Sequence, residues 1–207
     1  MRTFPDVRIR GLLNDVRSAT EMISNDAHAE ACELLEGVRA RALEAGIDSP
    51  YVNCSLAVCF EKLDELEAAF EAICAAARHD PFAPPVQGVF NSVAWKLRFA
   101  LAEPERALDD PSTPRIYEAL MATGECDVQC HVAMARYLSA AGRHDEAMRL
   151  LDAVTLLANV SRDAWATKAA VARASGREEL ARSCETEAAS IAPRHLPFGM
   201  ADAGCAC

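Results

Sequence analysis

The sequence predicts an all-α protein built from antiparallel helix hairpins stacked as repeats, and three observations predict it. Apolar residues recur three and four apart through Ala- and Leu-rich stretches, the spacing of one helical face. No stretch alternates with the period of two that a half-buried strand requires. The chain is also self-similar: Gly142 and Gly176 stand 34 residues apart, and AMARYLSAAGRHDEAMRLLDAV overlies TKAAVARASGREELARSCETEA, with Ala135 on Ala169, Ala147 on Ala181 and Arg143 on Arg177. Residues 50–83 enter the same frame, which sets Ala57, Ala69 and Pro81 on Ala135, Ala147 and Asn159.

Taken in chain order, residues 1–49 form a helix pair over about 7–24 and 26–44, with Asn25 marking the start of the second helix. They fit the frame poorly and are expected to be a degenerate N-terminal unit or cap. Ser49-Pro50 opens the unit 50–83, because a short polar side chain accepts from the free amides of a first turn and proline has no amide to lose there. Prolines from Pro81 to Pro85 break the chain again. Residues 87–127 then read as a longer unit whose inter-helix loop has gained several residues: NSVAWKL lies in its first helix, and Thr113-Pro114 opens its second. Asp127 caps the unit 128–161 and Ser161 caps the unit 162–195, so the repeat array spans 50–195. Further breaks fall at Gly46, Gly124, Gly142, Gly176 and Pro193. Residues 196–207, ending ADAGCAC, have too little apolar content to bury themselves and are expected to be a flexible tail.

Composition narrows the functional classes. With 51% hydrophobic residues in 207, the chain can fill a continuous core. A formal charge of -10 and a pI near 5.0 give no general attraction to a phosphate backbone or an anionic membrane face, so nucleic acid and membrane are not expected partners. The start, MRTFPDVRIRGLLNDVR, is interrupted by Asp6, Arg8, Arg10, Asp15 and Arg17, which leaves no export or spanning segment and predicts a cytoplasmic protein. Nine cysteines is an odd number, and several sit inside apolar stretches such as NCSLAVCF and EAICAAAR. Reduced, small core residues are the expectation for them.

A period of 34 with small residues in both helices and a closing proline resembles the tetratricopeptide (TPR) repeat. The residues that carry the likeness are Leu56, Ala57, Phe60, Ala69, Ile73, Ala76 and Pro81, then Ala135, Leu138, Gly142, Ala147 and Leu151, then Trp165, Ala169, Gly176, Ala181, Ala188 and Pro193. The resemblance implies a right-handed superhelix in which alanines sit at the helix crossings and Trp165 packs in the core. It also implies a non-enzymatic scaffold or adaptor that holds a partner peptide or helix in a concave groove lined by first helices. Carried over position by position, the groove residues are Tyr51, Cys54, Glu61 and Lys62, then Asn91, Trp95, Arg98 and Phe99, then Arg136, Ser139 and Arg173. Arg98, Arg136 and Arg173 fall in three successive first helices. Either they grip a partner's carboxylates bidentately, or they are solvated and pair with neighbouring glutamates. Trp95 and Phe99, four apart, are either an aromatic anchor in the groove or ordinary packing between repeats.

Signatures of chemistry are sparse. The sequence contains no glycine-rich phosphate loop, no His-Glu-x-x-His and no Gly-x-Ser-x-Gly elbow. None of His28, His79, His131, His144 and His195 recurs at metal-ligand spacing, and no cofactor is implied. The carboxylate pairs Asp145-Glu146 and Glu178-Glu179 open second helices, where the helix dipole favours negative charge. An alternative to a scaffold is a thiol or metal protein built on CDVQCH, from Cys126, Cys130 and His131, with Cys205 and Cys207 of the tail completing the set. With Asp127 as N-cap, Cys126 belongs to the preceding connection, so the two thiols need not share a face. His131 takes the place that Trp165 holds in the following unit, where packing is reason enough for a planar ring. The ending is no prenylation box, since residue 204 is Gly rather than Cys.

Overall fold

A computed structural model describes residues 7–103 and 110–191. The described residues form ten helices: α1 (Val7–Ser24), α2 (His28–Glu44), α3 (Pro50–Lys62), α4 (Leu66–Ala77), α5 (Pro84–Ala102), α6 (Thr113–Thr123), α7 (Val128–Ala140), α8 (His144–Leu157), α9 (Arg162–Ala174) and α10 (Glu178–Ser190). No strand occurs among them. Pro193, His195 and the tail 196–207, with Cys205 and Cys207, lie outside the described residues. The chain falls into two compact units: one holds the described residues up to Ala100 with Ala122–Glu125, the other the described residues of 101–121 and those from Cys126 onward.

Both units use one packing rule. In the first, α1 pairs with α2 and α3 with α4, α2 lies against α3, and the first helices α1 and α3 also touch. In the second, α7 pairs with α8 and α9 with α10, while α9 packs on both α7 and α8. Within each unit, successive hairpins are therefore in contact, which is the quasi-linear logic of a repeat protein.

The turn inside each of these four hairpins is the same. Asp26, Asp64, Gly142 and Gly176 take positive φ of 59°, 62°, 75° and 76°. The next amide reaches back to a carbonyl five residues earlier: Ala27 to Met22 at 2.9 Å, Glu65 to Phe60 at 2.9 Å, Arg143 to Leu138 at 2.8 Å and Arg177 to Ala172 at 2.8 Å. This bond satisfies a last-turn carbonyl and reverses the chain. A left-handed residue is required at that step, so glycine or aspartate stands there. Residues 7–44 thus share the hairpin turn of the later units despite their poor match in sequence.

Small residues sit where the helices cross. Ala57, Ala69, Ala135, Ala147, Ala169 and Ala181 are all essentially inaccessible, and Leu56, Ile73, Leu138 and Leu151 fill the flanks. Ser49, Asp127 and Ser161 cap α3, α7 and α9, accepting from the amides of Val52, Cys130 and Ala164 at 3.4, 3.0 and 3.3 Å. Asn25 does not cap α2. That helix starts at His28 with Ala27 at its N-cap, because Asp26 takes the left-handed turn step and shifts the start along the chain. Pro84 and Pro85 open α5 from inside its first turn, a place that costs no hydrogen bond.

Trp165 departs from its expected core position. It is only part-buried, its indole N–H donates to the Asn159 carbonyl at 2.9 Å, and the Lys168 ammonium lies 4.8 Å from its ring centre. Its polar edge needs a partner, and the carbonyl just before α9 supplies one at the surface. Among the described cysteines all are free thiols; Cys32, Cys59, Cys130 and Cys184 are buried, and Cys54, Cys74 and Cys126 are partly so. No described helix is long and apolar enough to cross a membrane.

Candidate functional site

The first helices of the first unit present two surfaces. At one end, Tyr51 opens α3, is half exposed, and its hydroxyl lies 3.1 Å from that of Thr20 on α1. With Leu13, Val16, Arg17 and Thr20 it lines a cleft of about 450 Å³ between α1 and α3. The α1 contributors were not foreseen, since residues 1–49 fit the repeat frame poorly; the signal that marks them is the left-handed Asp26 turn, which makes α1 a first helix like the others. Cys54, one turn after Tyr51, is half-buried; at the other end of α3, Lys62 is exposed, whereas Glu61 is engaged. Its Oε1 accepts from the Ser92 hydroxyl at 2.6 Å and from the Lys96 ammonium at 2.9 Å, tying α3 to α5. Burial works to raise the Glu61 carboxyl, and these two donors outweigh it, leaving its pKa below the ordinary value.

The second surface is the open face of α5. Buried residues Val93, Ala94, Leu97 and Ala100 occupy one side of the helix, and Asn91, Trp95 and Phe99 lie in an exposed row on the other. The rings of Trp95 and Phe99 stack on each other, with centroids 5.7 Å apart and planes 19° apart, and each residue remains 59% exposed. Arg98 lies on the flank of this row, half-buried, with Nη1 3.2 Å from the Glu125 carboxylate.

Arg136 and Arg173 belong to the second unit. Arg136, on α7, is half-buried, and Ser139 one turn on has its hydroxyl 3.2 Å from Nδ1 of His144. Arg173 closes α9 with its guanidinium 2.5 Å from Glu185 and 3.8 Å from Glu178 on α10. Two of the three arginines are thus already matched by glutamates of their own unit.

The junction before α7 is a polar cluster. Asp127 is the N-cap, which makes Cys126 the residue before the cap and His131 the fourth residue beyond the cap. Side chains at those two positions meet across the first turn, normally as an apolar staple. Here the Cys126 sulfur lies 3.8 Å from Nδ1 and 3.9 Å from Nε2 of His131, and the Tyr117 hydroxyl of α6 lies 2.8 Å from Nδ1. The equivalent residues of the other units also reach backward: Asn53 donates to Asp48 at 2.9 Å, and Trp165 to Asn159. The Cys130 thiol, fully buried on the first turn, is the largest influence lowering the Cys126 thiol, to about 6; burial opposes it and His131 reinforces it. The same contacts raise the His131 imidazole, the Cys126 sulfur being its first cause, and raise the Cys130 thiol. Burial raises Tyr117 to about 12. Cys126 and Cys130 therefore shift each other's thiol in opposite directions. Among the described residues, no three or more His, Cys, Asp or Glu side chains are arranged to hold a metal ion.

No protein-family model matches the chain, and no curated protein matches it. Solved structures similar to it include a MamA structure (MSR-1), 15% identical over 87% of this chain and 95% of that one with a TM-score of 0.43. Another is YrrB, described as a TPR protein with an unusual peptide-binding site, 16% identical over 92% and 95% with a TM-score of 0.43. A third is MamA from residue 41 to its end from Desulfovibrio magneticus RS-1, 10% identical over 91% and 97% with a TM-score of 0.40. The shared left-handed turns, the alanines at the crossings and the packing of successive first helices within each unit, α1 on α3 and α7 on α9, give this chain a TPR-like helical-repeat fold.

Proposed function

We propose that the protein is a non-enzymatic cytoplasmic scaffold that binds a partner protein through the first helices of its repeats, with Trp95 and Phe99 as the anchor. The observation that carries this is the stacked aromatic pair left 59% exposed on a helix whose opposite side is fully packed. Apolar surface is worth about 25 cal/mol per Å² when removed from water, and aromatic rings of this size are the residues that most often dominate an interface. Asn91, one turn before Trp95, offers an amide to a partner backbone. Arg98 on the flank favours a partner segment with a carboxylate, which would take the place of Glu125. Tyr51 and Lys62 on α3, and Arg136 and Arg173 in the second unit, are the remaining contact positions that the repeat frame supplies.

The test compares wild type with Trp95→Ala/Phe99→Ala in a cross-linking pull-down, followed by titration of the captured partner's segment. Binding is expected to shift the emission of Trp95, read without interference in a Trp165→Phe background, and to be lost in the double variant. Equal capture by wild type and a folded double variant would remove the α5 anchor. Replacing Arg98, Arg136 and Arg173 together by Glu then asks whether the partner is held by carboxylates; unchanged capture removes that part.

A further inference from the structure

We propose that Cys126 is a peroxide-reactive thiol and that Cys130 resolves it, making the start of α7 a reversible modification site. The residues come together for a local reason. The Asp127 cap fixes the first turn of α7, and the residues before and beyond the cap are brought face to face, so the Cys126 sulfur lies within 4 Å of the His131 ring. Tyr117 holds that ring from α6. The positive end of α7 adds to the stabilisation of a thiolate, as helix N-termini do for reactive cysteines. The molecule provides internal controls: Cys54 and Cys74 are also part-buried, yet have no imidazole or second thiol among the influences on them, and burial raises both.

The chemistry balances with a hydroperoxide as oxidant. The Cys126 thiolate attacks the distal peroxide oxygen, the O–O bond breaks, and sulfur becomes a sulfenic acid while the alkoxide or hydroxide leaving group takes a proton from the His131 imidazolium. The Cys130 sulfur then displaces the sulfenic hydroxyl, forming the S–S bond and releasing water with the thiol proton. Two thiols and one peroxide give one disulfide, one alcohol or water from the leaving group, and one further water. A dithiol returns the pair to its reduced form.

Both cysteines lie in one tryptic peptide, residues 116–136, so the experiment needs no variant. Reduced full-length protein is treated with hydrogen peroxide, quenched with an alkylating agent and mapped by mass spectrometry. The expected result is that this peptide loses two hydrogens and both alkylation sites roughly tenfold faster than Cys54 or Cys74 is oxidised. In Cys130→Ser the reaction is expected to stop at a sulfenic acid that dimedone traps on Cys126, and in His131→Phe, which keeps a planar ring in the staple, oxidation of Cys126 is expected to slow. Oxidation of Cys126 no faster than Cys54 or Cys74 overturns the proposal, as does a wild-type disulfide between Cys126 and any cysteine other than Cys130.

Discussion

Asp64 and Gly142 hold the same left-handed backbone at the same step of their hairpins, with φ of 62° and 75°, and the amide after each closes the turn on Phe60 and Leu138. Laid over one another in the 34-residue frame, the two positions coincide. A β-carbon at that step is strained, and only glycine, asparagine or aspartate occupies it at low cost.

Gly142→Ala and Gly176→Ala are therefore expected to lower stability by about 1 kcal/mol each, the left-handed penalty being partly offset by a less flexible unfolded chain. The space is open at both sites, so backbone strain alone is measured. Gly37→Ala, in the interior of α2 with nothing within 4 Å, is expected to raise stability by roughly 0.5–1 kcal/mol. Urea denaturation distinguishes the two signs, and a stabilised Gly142→Ala contradicts the shared turn.

Ser161 and Asn25 make a second contrast. Ser161 accepts from the first turn of α9, and its replacement by Ala is expected to cost about 1 kcal/mol. Asn25→Ala, at a residue that caps nothing, is expected to stay within about 0.5 kcal/mol of wild type. A cost at Asn25 equal to that at Ser161 would show that α2 begins earlier than at His28.

The crossings predict opposite failures for large and small residues. Leu151→Ala, in the core of the second unit with Val132, Met148 and Val171, is expected to cost about 2–5 kcal/mol through lost burial and a cavity. Ala147→Leu, at the close approach of α7 and α8, is expected to cost about 1–3 kcal/mol through overpacking. Thermal unfolding of both reads the result, and a tolerated Ala147→Leu would mean that the helices are not held close by small residues.

The two tryptophans are expected to respond differently to removal. Trp95→Ala removes exposed surface and is expected to shift stability by under about 0.5 kcal/mol while abolishing partner capture. Trp165→Ala takes away the hydrogen bond to Asn159 and the ring beside the Lys168 ammonium, so stability is expected to fall by about 1–2 kcal/mol. Denaturation midpoints in reversed order would exchange these roles.

Cys126 should alkylate with its own pH profile. Its thiol is lowered to about 6, so thiolate accumulates as pH rises through that value and the rate is expected to level off near neutrality. Cys130, His131 and Asp127 of the α7 start and Tyr117 of α6 are the groups that face it. Cys54 and Cys74 are raised above 9.0 and should still be gaining rate at alkaline pH. Iodoacetamide trapping followed by peptide mapping checks the order; a Cys126 profile that follows Cys54 would show that the cluster does not hold a thiolate.

Much of this was legible in advance where the cause is local. Ser49, Asp127 and Ser161 each stand before an apolar-periodic stretch, and each caps a helix. Asn25 misled because Asn is favoured both at caps and in turns, and the next residue took the turn. Cys126 and His131 illustrate a different shortfall. Asp127 reads as the cap from sequence, and the contact follows from the staple geometry of a capped helix, but a Cys-His pair has no apolar signature to draw attention to it.

By itself the sequence determined the helical class, the spacing of the hairpins, three of the caps and the alanines at the crossings, since each depends on residues within a turn or on a fixed repeat. Only the tertiary structure decided that Trp95 and Phe99 stack in the open, that Trp165 leaves the core, that Glu125 and Glu185 occupy Arg98 and Arg173, and that α1 lines a cleft with Tyr51. Burial and ion pairing depend on which distant segments arrive at a helix face, and the spacing of residues along that helix carries no record of them.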